Sequence, residues 1–172
     1  MSPFRPDLVD VWVFRAAAGG GIEILLLRRA PGRILAGLWQ GVSGSLEAGE
    51  RVFAGAMREL REETGFGDAD IAARYDLDQV NQFHEPSVDG IVSAAVFAVR
   101  VGPGVEPVLS HEHDLARWVG PAAALELVVW PAYRVSIARL AGDLSDPARA
   151  PWFELDAAGR RKPGGTPDIL AP

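Results

Sequence analysis

The chain has no cysteine. That excludes a disulfide framework, a thiolate metal site and a cysteine nucleophile. It also lacks a basic surplus: 17 Lys and Arg stand against 23 Asp and Glu, a formal net charge of −6. Proteins that grip a long phosphate backbone replace its counterions with basic side chains. A nucleic-acid polymer is therefore not the expected partner, whereas a small polyphosphate accompanied by a divalent metal is compatible with the charge. No apolar run is long enough to span a membrane, and Met1 to Asp7 lacks the apolar stretch of a signal peptide. The expected location is cytoplasmic. What the chain does contain, 172 residues of which 48% are hydrophobic, suffices for one domain with a sizeable core.

The apolar pattern divides into elements. Leu8 to Arg15 and Ile22 to Leu27 read as strands, joined as a hairpin by Gly19, Gly20 and Gly21. Arg28 to Gly37 is loop-like. Leu38 to Val42 predicts a short strand, followed by a glycine-rich turn from Ser43 to Gly49. Arg51 to Thr64 is the clearest helix. At about 100° per residue, Phe53, Ala56, Met57, Leu60 and Thr64 share one arc that predicts the core face. Gly65 ends it. Tyr75 to Phe83 and Ile91 to Val101 predict two further strands, joined by a loop holding Pro86 and Gly90, and Leu115 to Val119 another short one. Pro121 opens a short helix and Pro131 a longer one to about Leu140. Strands on both sides of a central helix indicate an α/β or α+β domain with a mixed sheet. The prolines and glycines after Gly142 predict an irregular tail, residues 142–172, that either packs along a 1–141 domain through Trp152, Phe153 and Leu155 or is flexible.

The chemistry is concentrated on the central helix. Glu59, Glu62 and Glu63 stand at i, i+3 and i+4, so three carboxylates share one face opposite the apolar arc. Gly55, one turn earlier, leaves open space on that face. Carboxylates so close repel one another and raise one another's pKa values. A hard cation such as Mg²⁺ resolves the conflict, because it favours oxygen ligands and pairs with phosphate oxygens. By themselves, three glutamates on a helix are equally a solvated acidic face. At the end of the second predicted strand, Arg28 and Arg29 are placed to grip phosphate or simply to solvate the strand end. Trp39 can stack on a base or pteridine ring, or belong to the core.

The wider pattern decides between an acidic face and a site. Gly44, five residues, Glu50, seven residues, then Arg58-Glu59-Leu60-Arg61-Glu62-Glu63-Thr64-Gly65-Phe66 resembles the Nudix box, G-x5-E-x7-R-E-U-x-E-E-x-G-U with U apolar, at every specified position. Its chance occurrence in a chain of this length is on the order of one in 10⁷. The resemblance implies the Nudix fold, an α/β/α sandwich around a mixed β-sheet. It implies metal-dependent hydrolysis of a phosphoanhydride, with Mg²⁺ as cofactor and Mn²⁺ able to substitute. It implies Glu59, Glu62 and Glu63 as metal ligands, with a carbonyl at Gly44, and Arg58 with Glu50 as a pair that steadies the carboxylates. In many members a loop carboxylate or histidine adds a ligand or general base. Glu112, in Ser110-His111-Glu112-His113-Asp114, stands at that point, with His111 and His113 as alternatives.

Within the family, Trp39 to Ser45, Asn81-Gln82-Phe83, Glu112-His113 and Trp130-Pro131-Ala132-Tyr133 resemble the branch acting on dihydroneopterin triphosphate and on deoxynucleoside triphosphates such as dATP. The expected partner is a small nucleotide or pterin phosphate, cleaved to pyrophosphate and a monophosphate. ADP-ribose and dinucleoside polyphosphates are alternative substrates, a non-catalytic nucleotide-binding module is a different class of function, and a homodimer is left open.

Overall fold

The computed structural model describes residues 4–162. Leu8–Ala16 (β1) and Ile22–Arg29 (β2) carry continuous buried runs, Val9 to Phe14 and Ile24 to Leu27. Such runs mark strands covered on both faces. They form the expected hairpin, but pair directly only near its turn, where Phe14, Arg15 and Ala16 face Ile24, Glu23 and Ile22. At the other end two short strands occupy the opening. Trp39–Gln40 (β3) pairs with β2 and Val42–Ser45 (β4) pairs with β1. The sequence reading placed Ser43 and Gly44 in a turn. They are in a strand instead, because the edge of β1 from Leu8 to Val11 takes its backbone partners from β4, and buried backbone groups left unpaired are costly.

Val52–Thr64 (α1) starts one residue after Arg51, which is extended and precedes the first turn. Gly65 ends the helix at φ 75°, its N–H bonded to the Arg61 carbonyl, a left-handed conformation that glycine adopts without steric cost. Ile71–Glu85 (β5) begins before Tyr75 and outlasts Phe83. Gly90, expected in the following loop, is instead paired with Glu85 at the start of Gly90–Val101 (β6). β6 lies parallel to β1, from Ala94 opposite Leu8 to Arg100 opposite Phe14. His113–Val119 (β7) pairs with the outer edge of β2 and starts two residues earlier than Leu115. Pro121–Leu127 (α2) and Pro131–Arg139 (α3) follow, and α3 runs into a single wide turn, Leu140–Leu144.

The strand order is β3-β2-β1-β6-β5, with β4 on β1 and β7 on β2. Alternate residues of the central strands face opposite layers. Val9, Val11, Val13, Leu25 and Leu27 pack with Ala56 and Leu60 of α1, while Trp12, Phe14, Ile24 and Leu26 pack with Ala124, Val128 and Ile137 on the α2–α3 side. Burying Leu60 alone stabilises this arrangement by about 2 kcal/mol. The result is an α/β/α sandwich around a mixed sheet. The region expected to be irregular contributes to it: Glu154–Leu155 (β8) adds to the edge of β5, Leu144 and Leu155 are buried, and Phe153 packs on the core. Trp152, expected to cover apolar surface, is half exposed. Pro163, Gly164, Gly165 and Pro167 lie outside the described residues. No helix among those described is long and apolar enough to cross a membrane.

Candidate active site

The C-terminal half of α1 leans on β4, and this contact assembles the carboxylates. The two elements approach so closely at Gly44 that a Cβ there would collide with the Glu59 carboxylate. The expected open space at Gly55 is absent. A Cβ at Gly55 would run into the side chains of Leu46 and Glu50, so this glycine lets the β4–α1 connection fold back across the helix.

Arg58 is the hub. Its Nε and Nη2 donate to the two oxygens of Glu50 at 2.9 and 3.0 Å. This fork-to-fork pairing holds the Glu50 carboxyl below its usual range, aided by the Glu47 amide. Nη2 also donates to the Ser45 carbonyl at 2.9 Å, tying α1 to the end of β4. Nη1 donates to Glu59 at 2.9 Å and Glu62 at 3.2 Å. One guanidinium thus touches the loop, the strand and two of the three helical carboxylates.

The three glutamates occupy different environments. The Glu62 side chain is 59% exposed. Glu59 is mostly covered, and burial, with Glu62 and Glu112 nearby, raises its carboxyl against the pull of Arg58. Glu63 is 5% exposed. Burial pushes its carboxyl up to about 8, and Glu59 and Glu112 push in the same direction. The alternative of a solvated acidic face does not describe this residue: Glu63 is buried, facing His113 at the start of β7. One of its oxygens is buried with no hydrogen-bond partner.

Glu112 lies just before β7, with its carbonyl bonded to the Ala30 amide and its carboxylate 3.5 Å from Arg29. Arg29 also donates to the Ile34 carbonyl, so it joins the carboxylate group and the loop after β2. Arg28, its neighbour, is engaged elsewhere. Both arms of its fork bind Asp114, at 2.9 and 2.8 Å, which leaves it little capacity for phosphate. Trp39 packs against the α2–α3 core, with the guanidinium of Arg117 5.0 Å and that of Arg28 5.9 Å from its ring centre. His111 is exposed. His113 is buried and faces Glu63.

Composition and spacing gave no notice of a second polar cluster on the opposite face of the sheet. Asp10 is buried in β1 and accepts a hydrogen bond from Asn81 at 2.8 Å. Burial raises its pKa, with Ser43 and Asn81 opposing. Tyr133 is close by, and burial, with Asp10 adding to it, raises its hydroxyl. The available signals were a lone aspartate within the apolar run of β1 and the segments holding Asn81 and Tyr133, noted above only for their resemblance.

Among the described residues no three His, Asp or Glu side chains are gathered into a formed ion cage, since Arg58 holds Glu59 and Glu62 through one nitrogen. The donor chemistry nevertheless fits a hard divalent cation. The donors are all oxygen, Glu63 presents an orphaned buried oxygen, and Gly44 brings backbone against the Glu59 carboxylate.

The family model for the NUDIX domain matches residues 5–140. The chain belongs to the Nudix family. The domain and its similarity to Nudix hydrolases support a pyrophosphohydrolase enzyme. A Mycobacterium tuberculosis Nudix relative provisionally named 8-oxo-dGTP diphosphatase 2 is 35% identical over 129 residues, 74% of this chain and 86% of that protein. An octanoyltransferase of Myxococcus xanthus is 37% identical over 123 residues, 70% of this chain. The match spans only 33% of that relative's length. A provisionally assigned Nudix hydrolase of Listeria monocytogenes superposes with a TM-score of 0.68 at 26% identity, over 81% of this chain and 94% of that one. The Escherichia coli dihydroneopterin triphosphate pyrophosphohydrolase superposes at 0.66 and 23%, over 80% and 95%, a likeness of fold.

Proposed function

We propose that this Nudix enzyme hydrolyses a nucleoside-triphosphate-like substrate of the dATP or dihydroneopterin triphosphate type, in the cytoplasm, with Mg²⁺ or Mn²⁺ as cofactor, releasing pyrophosphate and a monophosphate. The observation that carries this reading is the mutual crowding of Glu59, Glu63 and Glu112, in which burial and neighbouring negative charge raise both helical carboxyls. Carboxylates arranged at such a cost are suited to a divalent cation and the polyphosphate it accompanies. The triphosphate class is supported by the sequence from Trp39 to Ser45 and by the naming of the mycobacterial relative for 8-oxo-dGTP.

In this reading Glu59, Glu62, Glu63 and the Gly44 carbonyl hold the cation. When bound, it screens the phosphate oxygens and favours ionisation of the attacking water. Arg58 keeps Glu59 oriented while Glu50 fixes Arg58 from behind. Glu63 gives up its proton on loading, because ligation needs the carboxylate. Arg29 brings positive charge beside Glu112. Glu112, the most exposed carboxylate outside the helix in this group, takes the proton of the water as oxygen attacks phosphorus and the anhydride P–O bond breaks. Trp39, which packs on the α2–α3 side of the sheet, is the proposed stacking surface for the ring of the substrate.

A panel of dATP, 8-oxo-dGTP, a pterin triphosphate, ADP-ribose and a dinucleoside tetraphosphate, assayed with Mg²⁺ and with chelator, tests the proposal. We expect metal-dependent turnover of a triphosphate, with pyrophosphate and monophosphate in equal amounts. Orthophosphate as the only inorganic product, preference for ADP-ribose, or undiminished turnover in chelator would overturn it.

A further inference from the structure

We propose that His113 is a positioning residue for the site: its Nδ1–H anchors one oxygen of the Glu63 carboxylate, and Gln40 sets the ring's tautomer from the other side. The proposal rests on the reading of Glu63 as a metal ligand. His113 Nδ1 and Glu63 Oε2 face each other at 3.8 Å, with side-chain exposures of 0% and 5%. Both atoms are buried, and neither has a hydrogen-bond partner. Leaving a buried polar atom unpaired is costly. Here a donor and an acceptor stand just beyond hydrogen-bonding distance, and a small rotation of either side chain satisfies both.

The far side of the ring favours the tautomer with its proton on Nδ1. Nε2 lies 3.5 Å from the Gln40 side-chain nitrogen, also buried. An amide nitrogen donates, so Nε2 accepts and the neutral ring keeps its hydrogen on Nδ1, toward Glu63. The backbone fixes the distance between the partners. His113 is in register with Arg29 on β2, and its amide is bonded to the Ser110 carbonyl. Ser110 and Val108 in turn bond through their amides to the carbonyls of Glu63 and Thr64. The segment before β7 is thus strapped to the end of α1, and the same strap carries two adjacent side chains with different tasks. Glu112 reaches Arg29 and remains 38% exposed, whereas His113 turns inward to the helix. With one Glu63 oxygen anchored by the ring, the other is directed away from it. A ring so enclosed has no route to the attacking water, so its effect on the reaction passes through Glu63.

The experiment compares His113→Phe, His113→Asn, Gln40→Met and Glu63→Gln, and the double variant His113→Phe/Glu63→Gln. Mn²⁺ affinity of the nucleotide-free protein is read by calorimetry, beside kcat, KM and Tm. Phenylalanine fills the site without a donor, while the asparagine amide nitrogen stands near the position of Nδ1. We expect His113→Phe to weaken Mn²⁺ binding and lower kcat, each by about 10- to 100-fold, with KM little changed. His113→Asn should recover most of both. In the Glu63→Gln background the phenylalanine should add little. Gln40→Met, which leaves His113 and every proposed ligand in place, should shift Mn²⁺ affinity in the same direction and by less. It keeps the test decisive should His113→Phe fail to fold. Wild-type Mn²⁺ affinity in His113→Phe or in Gln40→Met, or a loss of equal size in the Glu63→Gln background that asparagine does not repair, would overturn the positioning role while leaving Glu63 a ligand. Wild-type affinity and kcat in Glu63→Gln itself would overturn both readings.

Discussion

Glu63 carries a consequence at the scale of a single residue. Its folded carboxyl is raised to about 8 by burial and by Glu59 and Glu112, against an ordinary value of about 4.3. At low pH the group is neutral in both the folded and unfolded chain and costs nothing. As pH climbs from the ordinary value toward 8, the unfolded chain releases this proton while the folded chain keeps it. Stability therefore falls through that interval, by up to about 1.4 kcal/mol per pH unit for one proton, and levels off above it. Glu63→Gln removes this residue's share of the slope. Denaturant unfolding in chelator at about pH 5 and pH 8 should show wild type losing more stability than the variant, and parallel losses would mean that Glu63 ionises as freely folded as unfolded. The sequence showed where this residue is but not what surrounds it. The spacing from Gly44 to Phe66 located Glu50, Arg58 and the three glutamates, because the box is a local pattern on one turn and one helix. It put Glu63 on one face with Glu59 and Glu62 without separating their degrees of burial, since helical periodicity is blind to the strand that covers the helix end. His113 was equally hidden: Ser-His-Glu-His-Asp reads as a polar loop until β7 is known to begin at His113.

At the scale of elements, the hairpin, α1 and the proline-led helices were legible because each is set by local periodicity and punctuation. Of the short strands, β3 falls within the strand expected from Leu38 to Val42, whereas β4 beyond Val42 and all of β8 were not legible, because they exist only through partners distant in sequence. β8 illustrates this. Glu154 and Leu155 have no strand pattern of their own, yet they pair with Tyr75 and Arg74, and Leu155 is 5% exposed within the α1-side core. Leu155→Ala should destabilise the protein by about 2 kcal/mol, the lower end for a buried leucine, because a short edge strand can partly collapse into the cavity. Neither β8 nor its partners on β5 contact the carboxylate cluster, so kcat at a temperature well below the melt should stay within twofold of wild type. A large loss of kcat in a folded Leu155→Ala variant would place part of the site's support in this edge. The fork between β1 and β2 matters differently. By admitting β3 and β4 it brings Gly44 to the Glu59 carboxylate on one face of the sheet and Ser43 beside Asp10 on the other, so a single short strand borders both polar clusters.

For the whole molecule the charge balance and the site point the same way. A net charge of −6 repels a polyphosphate, and the carboxylates of α1 concentrate that repulsion where the substrate is proposed to bind. A divalent cation held there, as proposed, reverses the sign locally. It also stabilises the protein by mass action, since the unfolded chain has no assembled site. At a concentration one hundred times Kd the gain is about 2.7 kcal/mol. General screening of an acidic protein raises stability too, so the control is NaCl at matched ionic strength, which weakens repulsion everywhere without ligating anything. In the proposed ligand set binding requires the Glu63 carboxylate, whose proton the metal-free fold retains up to about pH 8, and so the metal competes with a proton. Thermal melts should therefore show Mg²⁺ and Mn²⁺ raising Tm beyond matched NaCl, with the excess growing from about pH 6 to pH 8 as that competition eases. Glu63→Gln should lose most of the excess and its pH dependence while keeping the response to NaCl. If NaCl alone reproduces the shift in wild type, or if the excess is the same at both pH values, the buried carboxylate does not hold the cation and the ligand set has to be sought among Glu59, Glu62 and Glu112 without it.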